Sequence, residues 1–156
     1  MSAYAAGTTV AADRSRIELE RLLRRFGATG FAYGWQSTPT ARESVGFEMH
    51  GRQVRIELPI PASDSVEFTV TPGGKRRSET AARDAYDAEI RRRWRSLVLV
   101  VKAKLTAVAD GISTVEREFL ADVVLPSGAT FGQWAASRLP EIDRGSMPEL
   151  LPGADR

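Results

Sequence analysis

One segment constrains this chain more than any other. From Ser78, which can N-cap it, to about Ala109, the residues follow a single helical repeat, and at 1.5 Å per residue that helix spans ~45 Å. At 100° per residue, Tyr86, Ile90, Trp94, Leu97, Val101, Leu105 and Val108 share one broad sector, which must be buried against a sheet. Arg91, Arg95 and Lys102 cluster in a narrow arc on a different side, with Arg92 near them and Arg93 apart. Leu99 and Val100 point away from the main apolar sector, so the helix middle is apolar nearly all round. The later helices or a second subunit must cover it. Asp110-Gly111 ends the helix.

The remainder supplies a sheet and shorter helices. Ser15 and Glu18 have capping-box spacing, Leu19, Leu22, Leu23 and Phe26 form an apolar stripe, and Gly27 supplies the stop, so a helix capped by Ser15 is expected. Phe31, Tyr33 and Trp35 alternate with small or polar residues and read as a strand. Val45, Phe47 and Met49, then Val54, Ile56, Leu58 and Ile60, alternate around a tight turn at Gly51 and read as a hairpin. Val66 to Val70 (VEFTV) reads as a short further strand. TPGGKRRS reads as a Gly- and Pro-rich linker. A capping box at Ser113 and Glu116 opens a helix through Phe119, Leu120, Val123 and Val124. Another at Thr130 and Gln133 opens a short helix through Trp134 and Leu139, stopped by Pro140. The fold class is therefore α+β: an N-terminal helix, a three- or four-stranded antiparallel sheet, one long basic helix packed on it, and two shorter C-terminal helices. Residues 1–12 are expected as a flexible arm, 13–140 as a single domain and 141–156 as an extended tail, whose MPELL segment could anchor a partner.

Composition narrows the function. The chain has 156 residues and 42% hydrophobic content, enough for one core. It has no cysteine, which removes disulfides, thiolate metal sites and a cysteine nucleophile. No signal peptide is read at its start, and the longest aliphatic run, Leu97 to Val101, is far short of the ~20 residues a membrane helix needs. A cytoplasmic, non-membrane protein is expected. His50 is the only histidine, so a zinc site would have to be mostly carboxylate. There is no GxSxG elbow, Walker A or Rossmann spacing. Glu116, Glu118 and Asp122 could bind a hard cation, but such acids on a helix more often cap it and face solvent. No enzyme activity, catalytic residue, metal or cofactor is expected.

Charge is uneven along the chain. Net charge is +2, yet Lys75 to Lys104 holds ten basic residues against four acids, so the rest is net acidic. Asp87 with Arg91 and Glu89 with Arg93 are favourable i, i+4 pairs, which ordinary solvated helices also carry. Against that, arginine far outnumbers lysine and suits bidentate phosphate contacts. The flexible linker would also let Lys75, Arg76 and Arg77 reach a backbone. The predicted nucleic-acid contacts are Lys75, Arg76, Arg77, Arg91, Arg92, Arg95 and Lys102. Phe31, Tyr33 and Trp35 are either core partners of the helices or a stacking platform for bases. The other sheet face, with Glu48, His50, Arg55 and Glu57, has mixed sign and does not suit a polyanion.

The strings SRIELERLLRRFGATGFAYGW, FEMHGRQVRIELPIP and WRSLVLVVKAKL…GISTVEREFLADVVLPSGATFGQW resemble a group of small, mostly uncharacterised bacteriophage and prophage proteins, over nearly the whole chain. The resemblance implies a phage setting and carries no activity residue by residue. More weakly, a hairpin-rich sheet followed by a long basic helix resembles in topology the core of Rad52-like single-strand annealing proteins, which implies oligomers that hold single-stranded DNA along a basic groove.

The expected function is a non-catalytic, homo-oligomeric phage-type binder of nucleic acid, single-stranded DNA foremost, acting in recombination. The rivals are a protein-binding inhibitor of a host or defence protein, and a virion structural or assembly protein.

Overall fold

The computed structural model describes residues 9–37 and 40–145. Helix α1 spans Thr9–Arg25 and leads into strands β1 (Gly30–Gln36), β2 (Arg42–Met49) and β3 (Arg52–Pro59). One helical turn, α2 (Val66–Thr69), precedes the long helix α3 (Glu79–Ala109). Helix α4 (Val115–Phe119), a 3-10 turn at Leu120–Asp122, α5 (Phe131–Ala136) and α6 (Leu139–Ile142) follow. The α+β class stands, with a three-stranded antiparallel sheet in the order β1-β2-β3.

The strand register explains the core. Phe31, Phe47 and Val54 stand side by side, as do Tyr33, Val45 and Ile56, then Trp35, Glu43 and Leu58. Period-two alternation puts all nine on one face. Helix α3 lies over that face, with Tyr86, Ile90, Trp94, Leu97, Val98, Val101 and Leu105 buried. Tyr33 meets Trp94 with ring centroids 6.0 Å apart, and Phe47 meets Phe119 edge-on at 5.3 Å. Each such side chain removed from water contributes about 1.5–3 kcal/mol. The β2–β3 turn places both His50 (φ 52°) and Gly51 (φ 70°) in the left-handed region, as a two-residue I′ turn requires.

Local signals and tertiary contacts part company at several points. Helix α1 begins at Thr9, inside the expected arm, and Ser15 is buried mid-helix rather than capping it. Ala12 is fully buried, so packing against the core extends the helix past its local start signal. Gly27, at φ 97°, ends α1, with Ala28 N–H donating to Leu23 carbonyl at 3.0 Å. The VEFTV segment is a helical turn rather than a strand. That turn buries Phe68 edge-on against Tyr86 at 5.3 Å and leaves Val66 in water. The expected linker is a closed loop: Thr71 N–H donates to Lys75 carbonyl and Arg77 N–H to Thr69 carbonyl, both at 2.8 Å.

Ser78 caps α3 and Asp110-Gly111 ends it as the sequence predicts. Thr114, not Ser113, caps α4, accepting from Arg117 N–H. The helix does not continue through Val123 and Val124. These are extended, bridging Val54 and Thr130, and Val124 N–H donates to Gln53 carbonyl at 2.8 Å. The free backbone of β3 claims them in place of another helical turn. The Thr130–Gln133 capping box forms. Helix α5 stops at Ala136, short of Leu139, and Pro140, expected to stop it, lies instead in the first turn of α6, where proline is tolerated; α6 runs to Ile142, into the tail expected to be extended from residue 141. Residues 1–8 of the arm and the MPELL segment lie outside the described residues.

Candidate nucleic-acid interface

Helix α1 buries Leu19, Leu22 and Leu23 toward α3, which leaves a second stripe toward solvent. Arg14, Ile17, Glu18, Arg21, Leu22 and Arg25 follow at helical spacing, and with Lys102 of α3 they line an open groove of about 620 Å³. Four cations and one carboxylate bound it. The carboxylate is committed: Arg95 Nη1 of α3 donates to Glu18 Oε2 at 2.8 Å, tying the two helices together across the groove. Among the described residues, Arg14, Arg21 and Lys102 enter no ion pair, and Arg25 lies with its guanidinium 5.3 Å from the Phe26 ring centroid. Concave walls of one sign focus the positive potential.

The predicted cations are divided by the fold. Lys102 lines the groove and Arg95 borders it. Arg91, one turn before Arg95, is exposed and enters no ion pair among the described residues. Arg92 is occupied, its Nε and Nη2 both donating to Glu89 at 2.7 Å, while Arg93 bonds Glu89 and the Pro59 carbonyl. These hydrogen bonds, with Arg92 foremost, draw the Glu89 carboxyl down to about 2. Lys75, Arg76 and Arg77 sit in the closed loop before α3, about 27 Å along the helix from Arg95, and do not join the groove.

Sequence reasoning missed the arginines of α1. Their signal was available: Arg14, Arg21 and Arg25 recur on the polar side of the Leu19–Leu23 stripe. What the sequence did not reveal is that α1 lies beside the Arg91–Lys102 flank of α3.

A second polar cluster lies in the core. Glu43 is 2% exposed and accepts from Trp94 Nε1 at 2.5 Å. Arg16 places Nη2 3.6 Å from the same carboxylate, donates to the Tyr33 hydroxyl at 3.0 Å, and pairs through Nη1 with Asp13 at 2.8 Å. The Arg16 guanidinium also stacks 3.9 Å from the Tyr33 ring centroid. Burial, then the nearby Glu43 charge, pushes the phenols of Tyr33 and Tyr86 up to about 12. The cluster fastens α1, β1, β2 and α3 together.

Other candidates disperse. His50 faces Glu116 at 3.5 Å, and Asp122 lies 3.9 Å from Lys104, so Glu116, Glu118 and Asp122 do not converge. Phe31 and Tyr33 pack against the core, whereas Trp35 is 67% exposed, so the aromatic row is not one stacking surface. The outer sheet face carries mixed charge, with Arg42 bonded to Glu57 at 2.8 Å and Arg55 to the Gly128 carbonyl at 2.9 Å. No helix among the described residues is long and apolar enough to cross a membrane. Compared with known proteins, the chain matches no family model, no curated protein and no solved structure.

Proposed function

We propose that this chain is a non-catalytic nucleic-acid-binding protein that holds a single strand in the groove between α1 and α3. The observation that supports this reading is the gathering of Arg14, Arg21, Arg25 and Lys102 around one open groove whose single acid is already paired with Arg95. Guanidinium groups bind phosphate oxygens bidentately, and Lys102 adds a point charge. Ile17, half exposed, gives the groove an apolar wall that unstacked bases can touch, whereas a closed duplex offers mainly phosphates there. Arg91 extends the same flank. Single-strand annealing in a phage or prophage setting, in the host cytoplasm, is the role this reading favours.

The test is fluorescence anisotropy with labelled single- and double-stranded oligonucleotides at two salt concentrations. Four phosphate contacts give a slope of log affinity against log salt of about −3 for single strands. A variant carrying Arg21→Gln, Arg25→Gln and Lys102→Gln, all in the groove wall, loses at least tenfold in affinity and flattens the slope, with an unchanged circular dichroism spectrum. Arg76→Gln with Arg77→Gln, remote from the groove, loses less. Absence of salt-dependent binding by the natural chain, or equal binding by the triple variant, overturns the reading.

A further inference from the structure

The water-facing side of α3 has a composition that does not suit water. Leu99 and Val100 are each 51% exposed, and α4, α5 and α6 leave them so. Ser96 and Ala103, also exposed, complete an uncharged stripe at i, i+3, i+4, i+7. A solvated helix face normally carries charge at such positions. We propose that this stripe is the contact between two copies of the chain, with the α3 helices antiparallel about a twofold axis between Leu99 and Val100.

The stripe complements itself under that operation. Residue i faces residue 199 − i of the second copy, so Leu99 meets Val100 and Ser96 meets Ala103. Large side chains interlock at the centre, and small ones on either side permit interaxial separations near the lower end of the usual ~8–10 Å. Charge agrees as well. Arg92, on the edge of the stripe, faces Ala107 of the second copy and comes within one turn of its Asp110, which enters no ion pair among the described residues of its own chain. Arg92 already serves Glu89, but it is mostly exposed and has a free donor edge for a second carboxylate. An isologous contact of this kind is the commonest solution for soluble homodimers. It is also small for a specific interface, so dissociation in the micromolar range is expected.

The operation has a consequence for the groove. A twofold axis perpendicular to both helices keeps each helix flank on its own side. The Arg91–Arg95–Lys102 flanks of both copies therefore fall on the same side of the dimer, and the two α1–α3 grooves form one longer basic surface. The two flanks repel, so salt or a bound oligonucleotide strengthens the dimer. This last consequence rests on the nucleic-acid reading; the dimer itself does not.

Light scattering after size exclusion tests the contact. At about 100 μM the natural chain runs near twice its 17.1 kDa mass. Leu99→Glu and Val100→Glu, at exposed positions, each give a folded monomer. The chain has no cysteine, so Ser96→Cys with Ala103→Cys reports the geometry directly: it forms a reducible crosslinked dimer on oxidation. Those two positions lie ~10 Å apart within one helix and cannot bridge in the same copy. A monomer at every concentration with no crosslink overturns the proposal. A dimer that survives Leu99→Glu also overturns it and moves the interface to another surface, the uncharged edge of β1 first. Loss of the dimer with undiminished groove binding of oligonucleotide separates this proposal from the function above.

Discussion

The indole Nε1 of Trp94 donates to Oε2 of Glu43 at 2.5 Å, joining α3 to β2 across 51 residues of sequence in the centre of the core. A buried carboxylate is tolerated only where a donor and a countercharge replace its water; the Trp94 indole supplies the donor and the Arg16 guanidinium, 3.6 Å away, the countercharge. Glu43→Ala leaves the Trp94 indole without its acceptor and the Arg16 guanidinium without its buried countercharge, and is expected to cost about 3–5 kcal/mol. Glu43→Gln keeps an acceptor for Trp94 and loses less. Urea unfolding followed by tryptophan fluorescence measures both; equal stability of Glu43→Ala and the natural chain refutes the fastening role.

The same cluster sets an alkaline limit. Tyr33 and Tyr86 titrate near 12 in the folded chain and near 10 when unfolded. The unfolded chain therefore releases these protons first as pH rises. The contribution is fully present below pH 10 and disappears between about 10 and 12. In a Tyr4→Phe variant, which leaves only Tyr33 and Tyr86 to report, phenolate absorbance near 295 nm should rise with unfolding rather than before it.

At the acid end the group to watch is Glu89. Its folded value of about 2, against an ordinary 4.5, gives stability that is present above 4.5 and lost as pH falls toward 2. Glu89→Gln is expected to flatten the fall in melting temperature across that window. It also releases Arg92, which should raise oligonucleotide affinity slightly.

Gly132 is required by contact. A Cβ there would stand 2.9 Å from the Ala121 carbonyl oxygen and 3.2 Å from its Cβ, where α5 crosses the 3-10 turn. Gly132→Ala is expected to destabilise by about 1–3 kcal/mol despite a better helix propensity. A rise in melting temperature would show that the turn gives way freely.

His50 holds a left-handed backbone with a side chain, at φ 52°. That conformation costs a non-glycine residue roughly 1–2 kcal/mol, and the exposed contact to Glu116 returns little. His50→Gly is expected to stabilise the hairpin by up to about 1 kcal/mol, read as a shift in the urea midpoint.

Periodicity and local chemistry account for the elements that were legible in the chain. The long helix, its cap at Ser78, its stop at Gly111 and the face that buries Trp94 follow from spacing alone. So do the hairpin at His50-Gly51 and the capping box at Thr130. These rest on neighbours within a few residues, whose energies the sequence states directly. Tertiary structure decided the rest, because those outcomes depend on which distant surface arrives. Buried Ala12 lengthened α1 past Ser15, Phe68 found Tyr86 and bent VEFTV into a turn, and the open edge of β3 straightened Val123 and Val124. Glu43 lies before Val45, where the hairpin was expected to begin, and becomes a core residue only because Trp94 and Arg16 meet it from two other elements. The basic groove is of the same kind: arginines of α1 and cations of α3, far apart in sequence, share one surface only because two helices pack side by side.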